Sequence, residues 1–333
     1  MNKGAIEYIK SNIRKCGDYK SIFNYINPIL TDVSLRDGIQ GLNPDKISTH
    51  KKMEVFKYLH KLNFVKNIEI GSIVSPKHMP IMNDVPHLYN NIIQYLENYE
   101  PLEEMKMASS EKNELPYEPN IYVLIPNLSK LKIAQKHNFT NFAFLTSVSN
   151  SFQQRNINKS LEHSNIELYK MLEFLKYNKQ NKKNCIHTKL YVSCIDHCPF
   201  EGKIDTKDIV THLINHACTG YYNEVCLSDT CGSLTYISYK NILDELLNYV
   251  DPNMISLHLH VNRTNLLNIE NIIRHSLNKG VHRFDVSMLN HGGCSMTLSE
   301  SEKHSNLDYN LFSQILDRYI QENVERLKDM NNI

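Results

Sequence analysis

An α/β fold, a closed (β/α)8 TIM barrel with an N-terminal helical extension and a C-terminal helix, is the architecture that this 333-residue sequence predicts. Eight short apolar runs recur along the chain, and the intervals between them are long enough for a helix. Charged and imidazole side chains lie late in several runs or just beyond them, which is where parallel barrels build their sites. An open doubly wound sheet is the alternative fold with the same alternation.

The strands are predicted from short runs rich in β-branched and aromatic residues. The eight runs are residues 29–35, 65–70, 121–125, 142–148, 189–195, 224–228, 255–261 and 283–289. Helices are predicted between them from apolar residues that recur every three or four positions. One helix starts at Ser48 and Thr49 and carries Met53, Phe56 and Leu59 on one face, and similar stripes follow at residues 161–175 and 237–250.

Three segments are predicted from this pattern. Residues 1–27 form a polar extension with an apolar helical face, and residues 28–300 form the catalytic barrel. Residues 301–333 carry a long helix from about Asp308 to Met330, and residues 99–118 read as a solvated insertion rich in Glu, Lys and Pro.

Composition excludes several classes of protein. Apolar residues make up 41% of the chain, which is enough for a large core, and the net charge of +1 gives no basic footprint for nucleic acid. No apolar stretch approaches the roughly 20 residues of a membrane span. The eight cysteines are scattered through a long chain, which favours reduced thiols and a cytoplasmic location. Glu7 and Asp18 argue against a transit peptide.

A metal site is predicted from Asp37, His258 and His260. Side chains alternate along a strand, so that His258 and His260 point to the same side, and a carboxylate at the end of the first strand can join them. Histidine pairs at this spacing also occur by chance in a chain with 16 histidines, and the prediction therefore depends on Asp37 as the third ligand.

Other polar groups fall at the same end of the predicted barrel. Arg36, Glu69 and Asp229 are candidates for catalysis, with Arg36 supplying positive charge to an oxyanion. Arg36 and Glu69 have a structural alternative as a buried ion pair, because buried charges need partners.

Two cysteine segments leave their roles open. Cys294 follows Gly292 and Gly293, a flexible pair that suits a thiol on a mobile loop and equally suits a simple turn around a buried cysteine. Cys194 and Cys198 have a spacing that fits no common zinc site, which favours a role in shaping the loop after the fifth strand.

A series of motifs from about Pro28 to Cys294 follows the order of a known family. They are DVSLRDGIQ at residues 32–40, EIGSIVSPK at 69–77, PNL at 126–128, NIN at 156–158, YVSC at 191–194, CPFEGK at 198–203, SDT at 228–230 and GGC at 292–294. With them the chain resembles the 3-hydroxy-3-methylglutaryl-CoA lyases, among the TIM-barrel metallolyases with a pyruvate carboxyltransferase-like domain. The segments at 191–203 and 292–294 favour the lyases over the related isopropylmalate and homocitrate synthases.

The resemblance implies a Mg²⁺ or Mn²⁺ ion on Asp37, His258 and His260, and an acyl-CoA substrate cleaved to acetyl-CoA and acetoacetate. It also implies roles for further residues, namely catalysis by Arg36, Glu69, Asp229 and Cys294, and substrate binding by Arg36, Gln40 and Ser72. It implies no nucleic-acid or membrane partner, and it allows a homodimer.

Two positions depart from the family pattern. Val261 follows His260 where the family has Asp, and Lys303 stands nine residues past Cys294 where the family has an Asn ligand. We therefore expect one altered metal ligand, replaced by Glu300, Glu302, His304 or water. An impaired barrel that acts as a binding protein, or a condensing enzyme or aldolase for another hydroxy or oxo acid, is the alternative function.

Overall fold

The protein is described by a computed structural model over residues 26–100, 118–179, 186–262, 264, 266–289 and 304–331. The predicted N-terminal extension up to residue 25, most of the insertion at 99–118, and Cys294 with its glycines lie outside the described residues. None of the helices in these ranges is long and apolar enough to cross a membrane.

Eight parallel strands close into a barrel, which confirms the predicted fold. The strands are β1 (Ile29–Asp32), β2 (Asn67–Ser72), β3 (Asn120–Leu124), β4 (Asn141–Ser147), β5 (His187–Ser193), β6 (Glu224–Asp229), β7 (Ile255–Val261) and β8 (Arg283–Val286). Each strand pairs with the next in sequence, and β8 closes the ring by pairing with β1. The predicted runs match these strands to within a few residues, and β7 matches at both ends.

Helices connect the strands on the outside. They are α1 (Thr49–Leu62), α2 (Val85–Glu97), α3 (Leu128–Lys136), α4 (Asn150–Ile157), α5 (Leu161–Lys179), α6 (Thr206–Ala217), α7 (Tyr236–Leu246) and α8 (Leu266–Asn278). The predicted start of α1 is confirmed, because the Ser48 side chain accepts a hydrogen bond from the backbone of Lys51. A short hairpin, His197–Cys198 with Gly202–Lys203, follows β5.

Residues 305 and 306 lie along the end of β7, at the barrel mouth. A two-residue strand, β9 (Ser305–Asn306), pairs antiparallel with the end of β7, where Asn306 lies opposite His260. The C-terminal helix α9 (Tyr309–Asn331) then packs on the barrel. Its first residue, Tyr309, donates a hydrogen bond to the buried Asp32 carboxylate of β1 at 2.9 Å. The strand β9 therefore brings the polar side chain of Asn306 to the histidine pair.

Close packing of β2 against α2 depends on Gly71. Its backbone φ of +151° is rarely adopted by residues that carry a side chain. A Cβ at this position would lie 2.4 Å from a methyl group of Val85. This contact brings the helix against the strand that carries Glu69 and Ser72, and it therefore helps to fix the wall of the barrel mouth.

A partly buried histidine pair on α6 makes the stability of the fold depend on pH. The rings of His212 and His216 lie 4.7 Å apart, and burial lowers the pKa of each to about 4. An unfolded histidine takes up a proton near pH 6.5, so that lowering the pH from 7 to 5.5 favours the unfolded chain. We expect each ring to remove about 1 kcal/mol of the free energy of unfolding over this interval.

Urea titrations at both pH values test this expectation. The decrease in the free energy of unfolding between pH 7 and 5.5 should be smaller in His212→Asn than in the unmodified protein. It should be unchanged in His50→Asn, since the His50 side chain is exposed on α1. An equal loss in all three proteins would contradict it.

Candidate metal centre and active site

A tight turn after β1 presents Arg36 and Asp37 to the barrel mouth. The backbone amides of Arg36 and Gly38 both donate to the carbonyl of Val33, at 3.1 Å. A Cβ on Gly38 would lie 2.8 Å from the carbonyl oxygen of Ser34, so that only glycine fits this turn without a shift. Arg36 and Asp37 are nearly fully buried as a result.

Asp37, His258 and His260 converge, as the alternation of β7 predicts. One ligand atom from each residue lies within 4.8 Å of the others, and all three residues are buried. The Nε2 atom of His260 is 3.5 Å from Oδ2 of Asp37, and the two imidazole rings stand nearly perpendicular with centroids 4.9 Å apart. Among the described residues this is the group of three or more His, Cys, Asp or Glu that can hold an ion.

Both imidazoles are held through Nδ1. The Nδ1 atom of His260 is 2.8 Å from the backbone carbonyl oxygen of Asp229, and that of His258 is 3.2 Å from Oδ2 of Asp285. Both partners accept hydrogen bonds, so that Nδ1 carries a proton in each ring, and Nε2 has its lone pair available whenever the ring is neutral. This arrangement is typical of metal-ligating histidines.

Sequence reasoning missed Asn306 as a member of the site. Its pairing with His260 in β9 buries the side chain, and its Nδ2 donates to Oδ2 of Asp37 at 2.9 Å. A half-turn of the amide would turn its carbonyl oxygen toward the same point. The expected altered ligand is therefore not supported: it was based on a fixed spacing to Lys303, whereas a neutral amide three residues later reaches Asp37.

Arg36 joins the carboxylates of the mouth. Its guanidinium contacts Oδ1 of Asp37 at 2.6 Å and Oε1 of Glu69 at 3.2 Å, and it lies over the ring of Tyr191 at 5.0 Å. Burial alone would raise the pKa of Asp37, but the charge of Arg36 and a hydrogen bond from His260 hold that pKa well below its usual range. Burial outweighs Arg36 at Glu69 and raises the pKa of that carboxyl group.

Asp229 lies at the end of β6 with one carboxylate oxygen unpaired. Its Oδ1 accepts from the backbone amide of Ser233, whereas Oδ2 is buried and has no hydrogen bond to the described residues. Burial raises the pKa of Asp229 to about 6, although the neighbouring His260 acts against this rise. A carboxyl group with such a pKa can exchange protons near neutral pH.

A cavity of about 520 Å³ opens at Arg36 and the three candidate metal ligands. Arg36, Asp37, His258 and His260 line its floor, and the predicted substrate residues Gln40 and Ser72 line its wall. Tyr191, which the sequence showed only as part of a motif, also faces the cavity. The predicted catalytic residue Cys294, like Glu300, Glu302 and Lys303, lies outside the described residues. His304 lies beside Gly232.

The barrel interior fits a bound cation on two grounds. The donors, a carboxylate and two imidazoles with an amide alongside, are ligands that divalent metals accept. With both histidines neutral, as metal ligation requires, the connected ion pairs also contain more carboxylates than cations, and a metal ion beside Asp37 would offset this excess of negative charge. The carboxylates are Asp37, Glu69, Glu224 and Asp285, and the cations are Arg36, Lys189 and Arg283.

A proton and a metal ion would compete for the same atom of His260. Burial lowers the pKa of an imidazole, and at His258 it prevails. At His260 the hydrogen bond and charge of Asp37 outweigh burial and raise the pKa. Metal ligation requires the neutral ring, so that ion binding at this centre would release a proton.

Fold and site together define a class of protein, a TIM barrel with a candidate divalent-metal centre at the carboxyl ends of its strands. The chain belongs to the HMGL-like family, whose sequence profile matches residues 27–295.

Similar curated proteins are lyases. The chain is 28% identical over 265 residues to the cytoplasmic 3-hydroxy-3-methylglutaryl-CoA lyase of Rattus norvegicus, an alignment that covers 80% of this chain and 68% of the relative. It is 27% identical over 267 residues to the 3-hydroxy-3-isohexenylglutaryl-CoA/hydroxy-methylglutaryl-CoA lyase of Pseudomonas aeruginosa, with 80% and 77% of the two chains covered. These relatives support a lyase-type enzyme.

Solved structures share the fold. The HMG-CoA lyase of Brucella melitensis superposes with a TM-score of 0.69 at 22% identity, over 87% of this chain and 90% of that chain. An HMG-CoA lyase of Acinetobacter baumannii in complex with coenzyme A and 3-methylmalate gives a TM-score of 0.67 at 23% identity, over 89% and 83% of the two chains.

Proposed function

We propose that this protein is a divalent-metal-dependent carbon–carbon lyase that cleaves 3-hydroxy-3-methylglutaryl-CoA to acetyl-CoA and acetoacetate. The observation that carries the proposal is the convergence of Asp37, His258 and His260 beside the guanidinium of Arg36. The relatives named for this reaction support the choice of substrate, and the family membership supports the reaction class.

Four side chains would hold the ion, which we infer to be Mg²⁺ or Mn²⁺. Asp37 supplies a carboxylate oxygen, His258 and His260 supply Nε2, and Asn306 supplies a neutral amide oxygen. When bound, the ion acts as a Lewis acid that polarises the oxygen atoms of the substrate.

The remaining groups move a proton and stabilise charge. Asp229 would accept the proton of the substrate hydroxyl, because its raised pKa and unpaired oxygen suit it to this role and its neighbours Ser228 and Thr230 line the cavity. The oxygen then forms the ketone of acetoacetate while the bond between C2 and C3 breaks. The electron pair of that bond passes to the thioester enolate, which is beside Arg36 and takes up a proton to become acetyl-CoA.

Glu69 and Tyr191 keep Arg36 in place for this role. Glu69 pairs with the guanidinium, and the ring of Tyr191 packs against it. The Tyr191 hydroxyl lies 2.6 Å from Oε2 of Glu69 and 2.8 Å from Oδ2 of Asp285, and its one proton is shared between these two carboxylates. Gln40 and Ser72 would contact the acyl group from the cavity wall. We assign the return of the proton to Cys294 from the family resemblance alone.

The partner of the site is an acyl-CoA thioester, in keeping with the substrates named for the relatives. The relatives include proteins named cytoplasmic and mitochondrial, so that the cytoplasmic location and the homodimer stay predictions.

An assay for acetoacetate tests the proposal. Purified protein with Mg²⁺ or Mn²⁺ and 3-hydroxy-3-methylglutaryl-CoA should release acetoacetate, and removal of the metal with EDTA should stop the release. Metal binding without product from this substrate would favour another hydroxy or oxo acid. Absence of both metal binding and turnover would favour the alternative, a barrel that acts as a binding protein.

Asn306→Ala tests the amide ligand. We expect the affinity for Mn²⁺ to fall roughly tenfold, because the ion would lose one of four protein ligands. Calorimetry measures this change, and Asn67→Ala is the matched control, since Asn67 is a buried asparagine hydrogen-bonded to Thr31 away from the mouth. Equal Mn²⁺ affinity in Asn306→Ala and the unmodified protein would reduce Asn306 to a hydrogen-bond donor for Asp37.

A further inference from the structure

A buried lysine lies inside the barrel below the candidate metal centre. Lys189 on β5 has a side chain only 2% exposed, and its Nζ is 2.5 Å from Oδ1 of Asp285 and 2.8 Å from Oε1 of Glu224. A fully buried ion pair loses the hydration of both charges and is weak evidence for stability by itself. None of the chemical steps proposed above uses this charge.

Asp285 connects Lys189 to the metal centre. One carboxylate oxygen, Oδ1, contacts Lys189. The other, Oδ2, lies 2.8 Å from the hydroxyl of Tyr191, which shares its proton with Glu69, and 3.2 Å from Nδ1 of His258. Both oxygens are therefore engaged, and rotation of the carboxylate about its last bond would break the contacts with Lys189 and Tyr191.

The two histidines differ in what holds them. His260 is held by a backbone carbonyl of β6, whose position is set by the strand itself. His258 depends on a side chain, so that its orientation can be lost without any change in the strand. The contact between Lys189 and Asp285 therefore helps to set the orientation of the His258 ring.

We propose that Lys189 is a positioning residue for the metal centre: by fixing the carboxylate of Asp285, it holds His258 in the tautomer and ring orientation that direct Nε2 toward Asp37 and His260. The inference depends on the proposed function insofar as an ion binds at this centre. The alternative is that Lys189 only joins β5, β6 and β8 and contributes to stability.

Lys189→Met is the test variant, since it keeps much of the buried side chain and removes the ammonium group. In the metal-free protein, ¹⁵N spectra of the imidazoles should show His258 losing its single Nδ1–H tautomer, with the His258 signal assigned by its absence in His258→Ala. Affinity for Mn²⁺ should fall about tenfold or more, as for other groups that orient metal ligands. Lys189→Arg should recover part of both losses.

Lys52→Met is the matched control. Lys52 is also fully buried, with its Nζ 2.5 Å from both the carbonyl oxygen of Ile81 and Oδ1 of Asp84, but it lies outside the barrel interior. Its loss should lower the stability of the fold while the His258 signal and the Mn²⁺ affinity stay unchanged. If Lys189→Met does not fold, the double variant with Glu224→Gln removes one of the two carboxylates that Lys189 neutralises and provides the same readouts.

The outcomes separate this inference from the proposed function. Failure of the unmodified protein to bind Mn²⁺ would contradict the proposed function, and the tautomer measurement on metal-free protein would still decide the role of Lys189. A folded Lys189→Met protein with an unchanged His258 signal and unchanged Mn²⁺ affinity would overturn the inference.

Discussion

His258→Ala is expected to abolish metal-dependent cleavage and to lower the affinity for Mn²⁺ by at least about 100-fold. The variant removes one of two imidazole ligands from a buried centre, where the remaining donors are already committed. His260 stays fixed on the carbonyl of Asp229, and Asp37 stays paired with Arg36, so that neither can move to replace the lost nitrogen. Calorimetry with Mn²⁺ and the acetoacetate assay measure the two effects.

His275→Ala is the matched control for this variant. His275 also faces a carboxylate, with its Nε2 3.1 Å from Oδ1 of Asp244. This pair joins the outer helices α8, which carries His275, and α7, which carries Asp244. Loss of His275 should leave Mn²⁺ affinity and turnover unchanged. Undiminished Mn²⁺ binding in a folded His258→Ala protein would contradict the assignment of the centre.

The convergence on Asp37 could be predicted because two local rules were sufficient. Alternation along a strand places His258 and His260 on one side, and the carboxyl ends of parallel strands meet at one end of a barrel. The first rule needs only residues that are close in sequence. The second needs only the fold class. Geometry in the structure agrees with them, since β7 has the predicted bounds.

Asn306 could not be predicted from these rules. It reaches the site through a two-residue antiparallel strand, and neither periodicity nor a helix signal marks so short a segment. A fixed spacing from Cys294 pointed to Lys303 instead. The pairing of Asn306 with His260 is a tertiary contact, and only the folded chain shows it.

The strand pattern of the sequence also did not predict the charged groups inside the barrel below the site. Lys189 and Tyr191 lie in a run that reads as an ordinary strand, and Asp285 lies in another. Period-two alternation predicts that Lys189 and Tyr191 share a face. It does not predict that both would contact Asp285, which is 94 residues from Tyr191 in sequence. Pairing partners across a barrel are set by register, which a single sequence does not encode locally.

Arg36→Met should lower kcat by about 100-fold or more while KM changes little. The guanidinium donates to the position where we expect enolate charge to develop, so that its hydrogen bonds strengthen in the transition state and contribute little to ground-state binding. Arg36→Lys should recover only part of the rate, because an ammonium group lacks the planar fork that spans Asp37 and Glu69.

The competing explanation for Arg36 is a buried ion pair that only neutralises two carboxylates. Under that explanation Arg36→Met would lower the free energy of unfolding and would leave kcat per folded molecule unchanged. Arg274→Met is the control, since Arg274 forms comparable ion pairs with Glu270 and Glu322 on the outer helices. Loss of kcat at full Mn²⁺ occupancy in Arg36→Met, with normal kcat in Arg274→Met, would separate the two explanations, because saturating metal removes any contribution from weaker ion binding at Asp37.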